Sequence, residues 1–233
     1  MGILTQEQLT GRTETHLVVV GEGHQLHPEA GEAFARLQAD AAAAGFEMRI
    51  ASAFRSFERQ CAIFNAKASG RRPVHDDEGR QVDMAALSDQ QRLHAILRFT
   101  ALPGTSRHHW GTDLDMFDAS AVPAGYAVQL TPEEVAPGGP FDALHNWLDE
   151  RMAAGLSHGF YRPYADDRGG VAPERWHLSY SPLALPCASA LTVPAIRDAL
   201  AGTDLAMYEI VLAELGELIS RYVRVGEDWC PRH

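Results

Sequence analysis

Within ten residues, Ser106-Arg107-His108-His109-Trp110-Gly111-Thr112-Asp113-Leu114-Asp115, the chain places two histidines and two aspartates around one glycine. No other stretch restricts the fold as much. His108 and Asp115 are seven residues apart, so a continuous helix would hold them two turns from each other. They converge on one point only if the chain turns between them. Gly111 permits that turn, and a strand carrying Asp115 then returns alongside. Leu114 to Phe117 alternates as such a strand should, with Asp113 and Asp115 on one side and Leu114 and Met116 on the other.

A second short cluster, Glu174-Arg175-Trp176-His177, stands far downstream. If Trp176 to Tyr180 is a strand, His177 points to one face and Trp176 packs on the other. A catalytic zinc takes three protein ligands and keeps a fourth position for water. His108, Asp115 and His177 supply such a set without thiols, and Glu174 is left over to handle a proton. His109 and Asp113 lie beside the candidate ligands, either supporting them or replacing one of them if the register differs. Glu174 and Arg175 otherwise read as a surface ion pair.

Composition excludes several classes. Of 233 residues, 45% are hydrophobic and 22% charged, as in an ordinary globular protein. The formal charge is 20 minus 31, or -11, with no basic run, which argues against nucleic acid as a partner. Cys61, Cys187 and Cys230 form neither a CxxC pair nor a disulfide framework and read as buried or incidental thiols. No run approaches the roughly 20 apolar residues of a membrane span. The first twenty residues lack the apolar core of a signal peptide, so the sequence by itself reads as cytoplasmic. The oligomeric state is left open.

In order, Leu17 to Val20 reads as a buried strand, Pro28 to Ala44 as a helix closed by Gly45, and Phe46 to Phe54 as a strand. A helix is expected over about 58–68, an exposed loop over 69–87, and a helix from Ser88 to about Phe99. Residues 119–140 are rich in Pro and Gly, with Ala127 to Leu130 a possible short strand. Phe141 to Ala154 is helical. Gly159 to Tyr161 and Trp176 to Tyr180 flank a polar loop as short strands. Pro194 opens a short helix, and Asp204 is the expected N-cap of a longer one. Its stripe of Tyr208, Val211, Leu215, Leu218 and Tyr222 packs on the same domain or forms a dimer surface. Without a βαβ rhythm the fold class is α+β: a small, mainly antiparallel sheet flanked by helices, with a C-terminal helix. The chain reads as a single catalytic domain over 1–233, its core about 15–185, with a helical extension over 190–233.

Ser106-x-His108-x-x-Gly111-x-x-x-Asp115 and Glu174-x-Trp176-His177 resemble the SxHxxGxxxD and ExWH signatures of the LAS metallopeptidases, named for lysostaphin, D-Ala-D-Ala peptidases and sonic hedgehog. Ser52-Ala53-Phe54-Arg55-Ser56-Phe57-Glu58-Arg59-Gln60 resembles the SxxRSxxxQ-like segment that precedes them in VanY-like D-alanyl-D-alanine carboxypeptidases. The three motifs stand in the family's order across residues 52–180. The resemblance implies one zinc per chain on His108, Asp115 and His177, with Glu174 as catalytic base. It implies that Arg55 polarises the scissile carbonyl, and that Ser106 and Gln60 bind the substrate's terminal carboxylate or nearby backbone. Taken alone, Arg55 would cap the following helix and Gln60 would be an exposed helix position. Two departures fall beside the expected pocket: Ser179 stands where an arginine is usual after the WH pair, and Arg162-Pro163-Tyr164 replaces the usual Arg-Tyr-Pro.

The implied activity is removal of a C-terminal D-alanine from peptidoglycan-derived peptides, by water activated at the zinc through Glu174. L,D-carboxypeptidase and peptidoglycan endopeptidase are alternatives within the same chemistry, and a non-hydrolytic zinc-containing binding module is one of another class. A cell-wall substrate would suggest a periplasmic or cell-surface location, at odds with the absent signal sequence.

Overall fold

The computed structural model describes residues 4–225. Cys230 lies outside them. The chain enters through α1 (Gln6–Leu9), whose Thr5 and Gln8 close a capping box. A two-stranded ribbon follows, β1 (Val18–Val19) against β2 (Gln25–Leu26). The strand expected to be buried here is exposed instead, Val18 by 43% and Val19 by 71%. A β-branched run reports preference for extended backbone; whether it is buried depends on a covering layer, and this ribbon stands apart from the main sheet.

Helix α2 (Pro28–Ala43) begins with proline at its first turn and lays Ala30, Ala33, Phe34, Leu37 and Ala41 on one buried face. After Gly45, at φ +93, the chain returns as β3 (Met48–Ser52). Ser56 caps α3 (Phe57–Ala68), and Ser88 with Gln91 boxes α4 (Asp89–Leu97). Next come β4 (Asp113–Asp118), α5 (Pro132–Val135), α6 (Asp142–Ala153), β5 (Phe160–Tyr161) and β6 (His177–Tyr180). No strand forms at Ala127 to Leu130. The Glu134 carboxylate accepts the backbone N–H groups of Gln129 and Leu130, at 3.0 and 2.7 Å, which satisfies donors that a strand would pair.

The sheet is antiparallel throughout, in the order β3-β4-β6-β5. This is the expected α+β arrangement. Leu114, Met116 and Leu178 project from one face into a core with Phe34, Leu37, Leu144 and Leu148 of α2 and α6. Strand alternation sends Asp113, Asp115, His177 and Ser179 to the opposite face. Beyond that face lies a second core, built by α1, α3 and α4 with α7 (Ser181–Ala190), α8 (Val193–Leu200) and α9 (Tyr208–Leu218). The polar face of the sheet therefore meets a helical layer.

Helix α7 has no counterpart among the elements expected from the sequence; it forms with Pro182 in its first turn and Pro186 inside. Nor does Asp204 cap α9. That helix starts at Tyr208, after Met207 in the left-handed conformation at φ +61, while the Asp204 carbonyl accepts from the Asn65 side chain. The stripe packs within the chain: Val211, Leu215 and Leu218 of α9 join the helical core, as does Tyr222 in the π-helical turn that follows. Cys61 is half-buried and Cys187 buried, and both are free thiols. No single helix among the described residues is long and apolar enough to cross a membrane.

Candidate metal centre and its cavity

Antiparallel register sets Asp115 directly opposite His177 on neighbouring strands. His108 comes from the 3-10 turn Arg107–Trp110, which the left-handed Gly111, at φ +69, closes and redirects into β4. A β-carbon at Gly111 would lie 2.2 Å from Leu17 Cδ2 and 2.9 Å from the backbone nitrogen of His27, whose N–H donates to the Gly111 carbonyl. Gly111→Ala is thus expected to combine backbone strain with a collision that cannot relax. The stability loss should be at least ~2 kcal/mol, lowering the thermal midpoint by about 4–8 °C for a chain of this size. An unchanged midpoint would show that the turn is not under this constraint.

The three candidate ligands converge. One donor atom each from His108, Asp115 and His177 lies within 4.8 Å of the others, and all three side chains are buried. His177 Nδ1 is 3.1 Å from Asp115 Oδ1, and His108 Nε2 is 3.4 Å from Asp115 Oδ2. The two imidazole rings stand edge to face, 4.9 Å between centroids. His108 Nδ1 is buried without a hydrogen-bond partner. Burial pushes the His108 imidazole down to about 4, into the neutral form that binds metal. For His177, burial opposes charge, but the carboxylates of Asp113 and Asp115 outweigh it and lift the ring to about 9. The proton so held at Nδ1 occupies ground where a metal cation would satisfy the same carboxylate. Two imidazoles and a carboxylate in this arrangement fit a divalent metal with borderline-soft preferences.

Asp113 is a supporting residue. Its Oδ1 accepts from His177 Nε2 at 2.9 Å and from Arg107 Nε at 2.8 Å. A carboxylate only accepts, so the hydrogen sits on Nε2 and Nδ1 is left facing Asp115 and His108. His109 turns away from the ligands: its Nδ1–H donates to the Arg55 carbonyl at 2.6 Å, and its Nε2 accepts from the Gly104 N–H at 3.1 Å.

Glu174 lies just outside the triad, its Oε2 3.7 Å from His177 Nδ1 and its side chain 14% exposed. Burial raises its carboxyl to about 7, against the pull of His177, so it exchanges a proton near neutral pH. A dication on the neighbouring ligands would favour the ionised form. The alternative of a surface ion pair between Glu174 and Arg175 is not what forms; Arg175 binds Asp142 at 3.0 Å and Asp149 at 2.6 Å.

These groups open into a cavity of about 800 Å³, whose wall includes Arg55, Ser106, His108, Asp115, Glu174 and His177. Tyr164 stacks edge-on against His177 at 5.1 Å and lines the same space. Gln60 does not reach it. This fully buried side chain stands behind Arg55, accepting from Arg55 NH1 at 2.9 Å and donating to the Ala101 carbonyl at 2.6 Å. The expected Gln60 contact with substrate is therefore replaced by a grip on Arg55. The signal for this was weak in sequence, since a glutamine three residues into a helix gives no hint of which neighbour it meets.

The sequence motifs passed over Arg107. Its guanidinium, buried in the same layer, donates to Asp113, Tyr161 and Ser179 and lies over the Trp110 ring. Ser179, at a position where the family often has arginine, thus receives a guanidinium from the first motif instead.

The family model for D-alanyl-D-alanine carboxypeptidase, VanY, matches residues 23–183. Two Haemophilus influenzae proteins, both described only as uncharacterized, are similar in sequence. One is 47% identical over 103 residues, 42% of this chain and 70% of that protein. The other is 31% identical over 124 residues, 52% of this chain and 92% of that protein. Among solved structures, VanYB in complex with D-alanine-D-alanine has a TM-score of 0.50 at 20% identity, covering 80% of this chain and 89% of that one. A zinc-bound mutant of the vancomycin resistance D,D-pentapeptidase VanY, from a VanB-type cassette, has a TM-score of 0.51 at 20% identity, covering 84% and 88%. At that identity the likeness speaks for the fold.

Proposed function

This chain belongs to the VanY family of D-alanyl-D-alanine carboxypeptidases, and on that premise we propose that it is a zinc-dependent D,D-carboxypeptidase acting on peptidoglycan-derived peptides. The observation that carries the proposal is the pairing of a buried His-Asp-His set with a carboxylate beside it that is not one of the set. His108, Asp115 and His177 would hold one zinc ion. When bound, zinc supplies Lewis acidity, polarising a carbonyl and making water a nucleophile near neutral pH.

The chain's own residues account for the rest. Glu174 takes a proton from the attacking water and returns it to the leaving D-alanine amine. Arg55, held by Gln60 and Ser52, offers N–H donors where negative charge develops on the scissile carbonyl. Ser106 presents a hydroxyl to bound peptide from the same wall. The wall formed by Trp176, Tyr164 and Val171 limits water around the reacting atoms. In this reading residues 1–233 work as one peptidase unit. Helices α8 and α9 support it by sharing their core with α3, α4 and Trp110.

The test is to incubate protein and zinc with muropeptides ending in D-Ala-D-Ala or in a single D-Ala, and to identify products by mass. One alanine should leave the first peptide and none the second. Metal analysis should find one zinc per chain, and a chelator should abolish turnover until zinc is added back. Release of the single D-Ala instead would mark an L,D-carboxypeptidase, and internal cleavage an endopeptidase. Binding without turnover would mark a non-hydrolytic module. Failure to take up zinc at saturating metal would refute the centre.

A further inference from the structure

Buried or half-buried arginines elsewhere in this chain have carboxylate partners: Arg98 with Asp77 and Asp167, Arg107 with Asp113, Arg162 with Asp149, and Arg175 with Asp142 and Asp149. The cavity wall is the exception. Arg55 and Lys67, both half-buried, line it with the exposed Arg72 beside them, and among the described residues none of the three has a carboxylate within ion-pair distance. The cavity's carboxylates thus leave these cations without a direct partner, and an anionic group entering the cavity would supply one.

The wall has an order. Gln60 and Lys67 are seven residues apart on α3, two turns along one face. Gln60 holds Arg55, and Lys67 follows it along the same helix. Lys67 is half-buried, and its ammonium donates to Thr100 Oγ1 at 2.5 Å, using one of three donors. Burial first, and then Arg72, lowers its pKa to about 8, a shift that Glu174 only partly opposes. Four carboxylates line the cavity: Asp115 and Glu174 lie at the His108-Asp115-His177 centre, Asp76 is bonded to Arg80 at 2.9 Å, and Glu133 sits on α5, so none is paired with Lys67.

We propose that Lys67, with Arg72 beside it, anchors the free α-carboxylate of the peptide's last residue and thereby restricts cleavage to the chain end. The inference rests on the carboxypeptidase reading and deepens it. Every such substrate carries one anion a single residue beyond the scissile carbonyl, whereas a peptide cut internally has a neutral amide there. With Gln60 turned to Arg55, the neutral Ser106 hydroxyl is what remains of the expected carboxylate partners, and an ammonium is a stronger one.

The experiment uses zinc-loaded full-length protein carrying Glu174→Ala, so that peptide is bound and not turned over. Calorimetry compares an N-acetylated peptide ending in D-Ala-D-Ala as the free acid and as the C-terminal amide, with and without Lys67→Met. The acid should bind roughly 10-fold or more tighter than the amide when Lys67 is present. That preference should shrink to about twofold in Lys67→Met and return in part with Lys67→Arg. Equal binding of acid and amide, no binding of either, or a preference that survives Lys67→Met each overturns the anchor.

Turnover by the unsubstituted protein separates this from the parent reading. Cleavage of acid and amide alike would sink the anchor and keep the activity. A Lys67-dependent preference for acid, seen only on peptides with an L-residue before the last D-alanine, would keep the anchor and sink the D,D assignment.

Discussion

Glu174→Ala is expected to keep zinc, keep the fold and lose about 100-fold or more in turnover, the usual scale for a general acid-base group. His177→Ala, three residues away, should lose metal and turnover together. The difference follows from position. His177 sits on β6, opposite Asp115, with both ring nitrogens committed to the centre. Glu174 precedes the strand, and the His177 N–H donates to its carbonyl at 3.1 Å, so the two side chains are carried by one turn and meet at 3.7 Å. Trp176 between them borders the cavity and packs into a small cluster with Val135 and Phe141. If the segment were merely structural, both substitutions would lower the thermal midpoint similarly and leave metal content unchanged. Zinc content, thermal midpoint and turnover measured for both variants beside the parent decide it. A Glu174→Ala protein that keeps most of its turnover would reject the mechanism while leaving the family assignment intact.

Much of this centre was legible in the sequence because its parts depend on local rules. Period-two alternation put Asp113 and Asp115 on one face of β4, and a glycine marked the turn after His108. What the sequence hid is set by partners distant in the chain. Val18 and Val19 have the pattern of a strand wherever they lie, and only the missing cover makes them exposed. Asp204 has the chemistry of an N-cap, but Asn65 claims its carbonyl and α9 begins four residues later. Lys67 looks like an ordinary charged helix residue until Thr100 and the cavity are placed beside it. Arg107 occupies an unspecified position of a recognised motif, and its partners Tyr161 and Ser179 are 54 and 72 residues away.

Asp113→Ala is expected to damage stability and metal binding by separable routes. The Asp113 and Arg107 side chains are 0% and 1% exposed, so removing the carboxylate leaves a guanidinium buried without its counter-ion. Such a loss costs about 3–5 kcal/mol. Tyr161 and Ser179 still accept from Arg107, at 2.8 and 2.7 Å, but neither carries charge. The same substitution frees His177 Nε2, so the ring is no longer held with Nδ1 toward Asp115, and zinc affinity should fall roughly 10- to 100-fold. Arg107→Met removes the other partner. It should lower stability by a similar amount yet spare most of the zinc affinity, because Asp113 still accepts from His177 and from Thr112 Oγ1 at 2.5 Å. The double variant Arg107→Met/Asp113→Leu removes both buried charges, so it should recover much of the stability lost by either single change. It cannot recover the acceptor for Nε2, so its zinc affinity should stay as weak as that of Asp113→Ala. Chemical unfolding of the metal-free proteins gives one axis and competition against a chromophoric chelator gives the other. If zinc affinity returns in the double variant together with stability, Asp113 serves folding alone and does not orient His177.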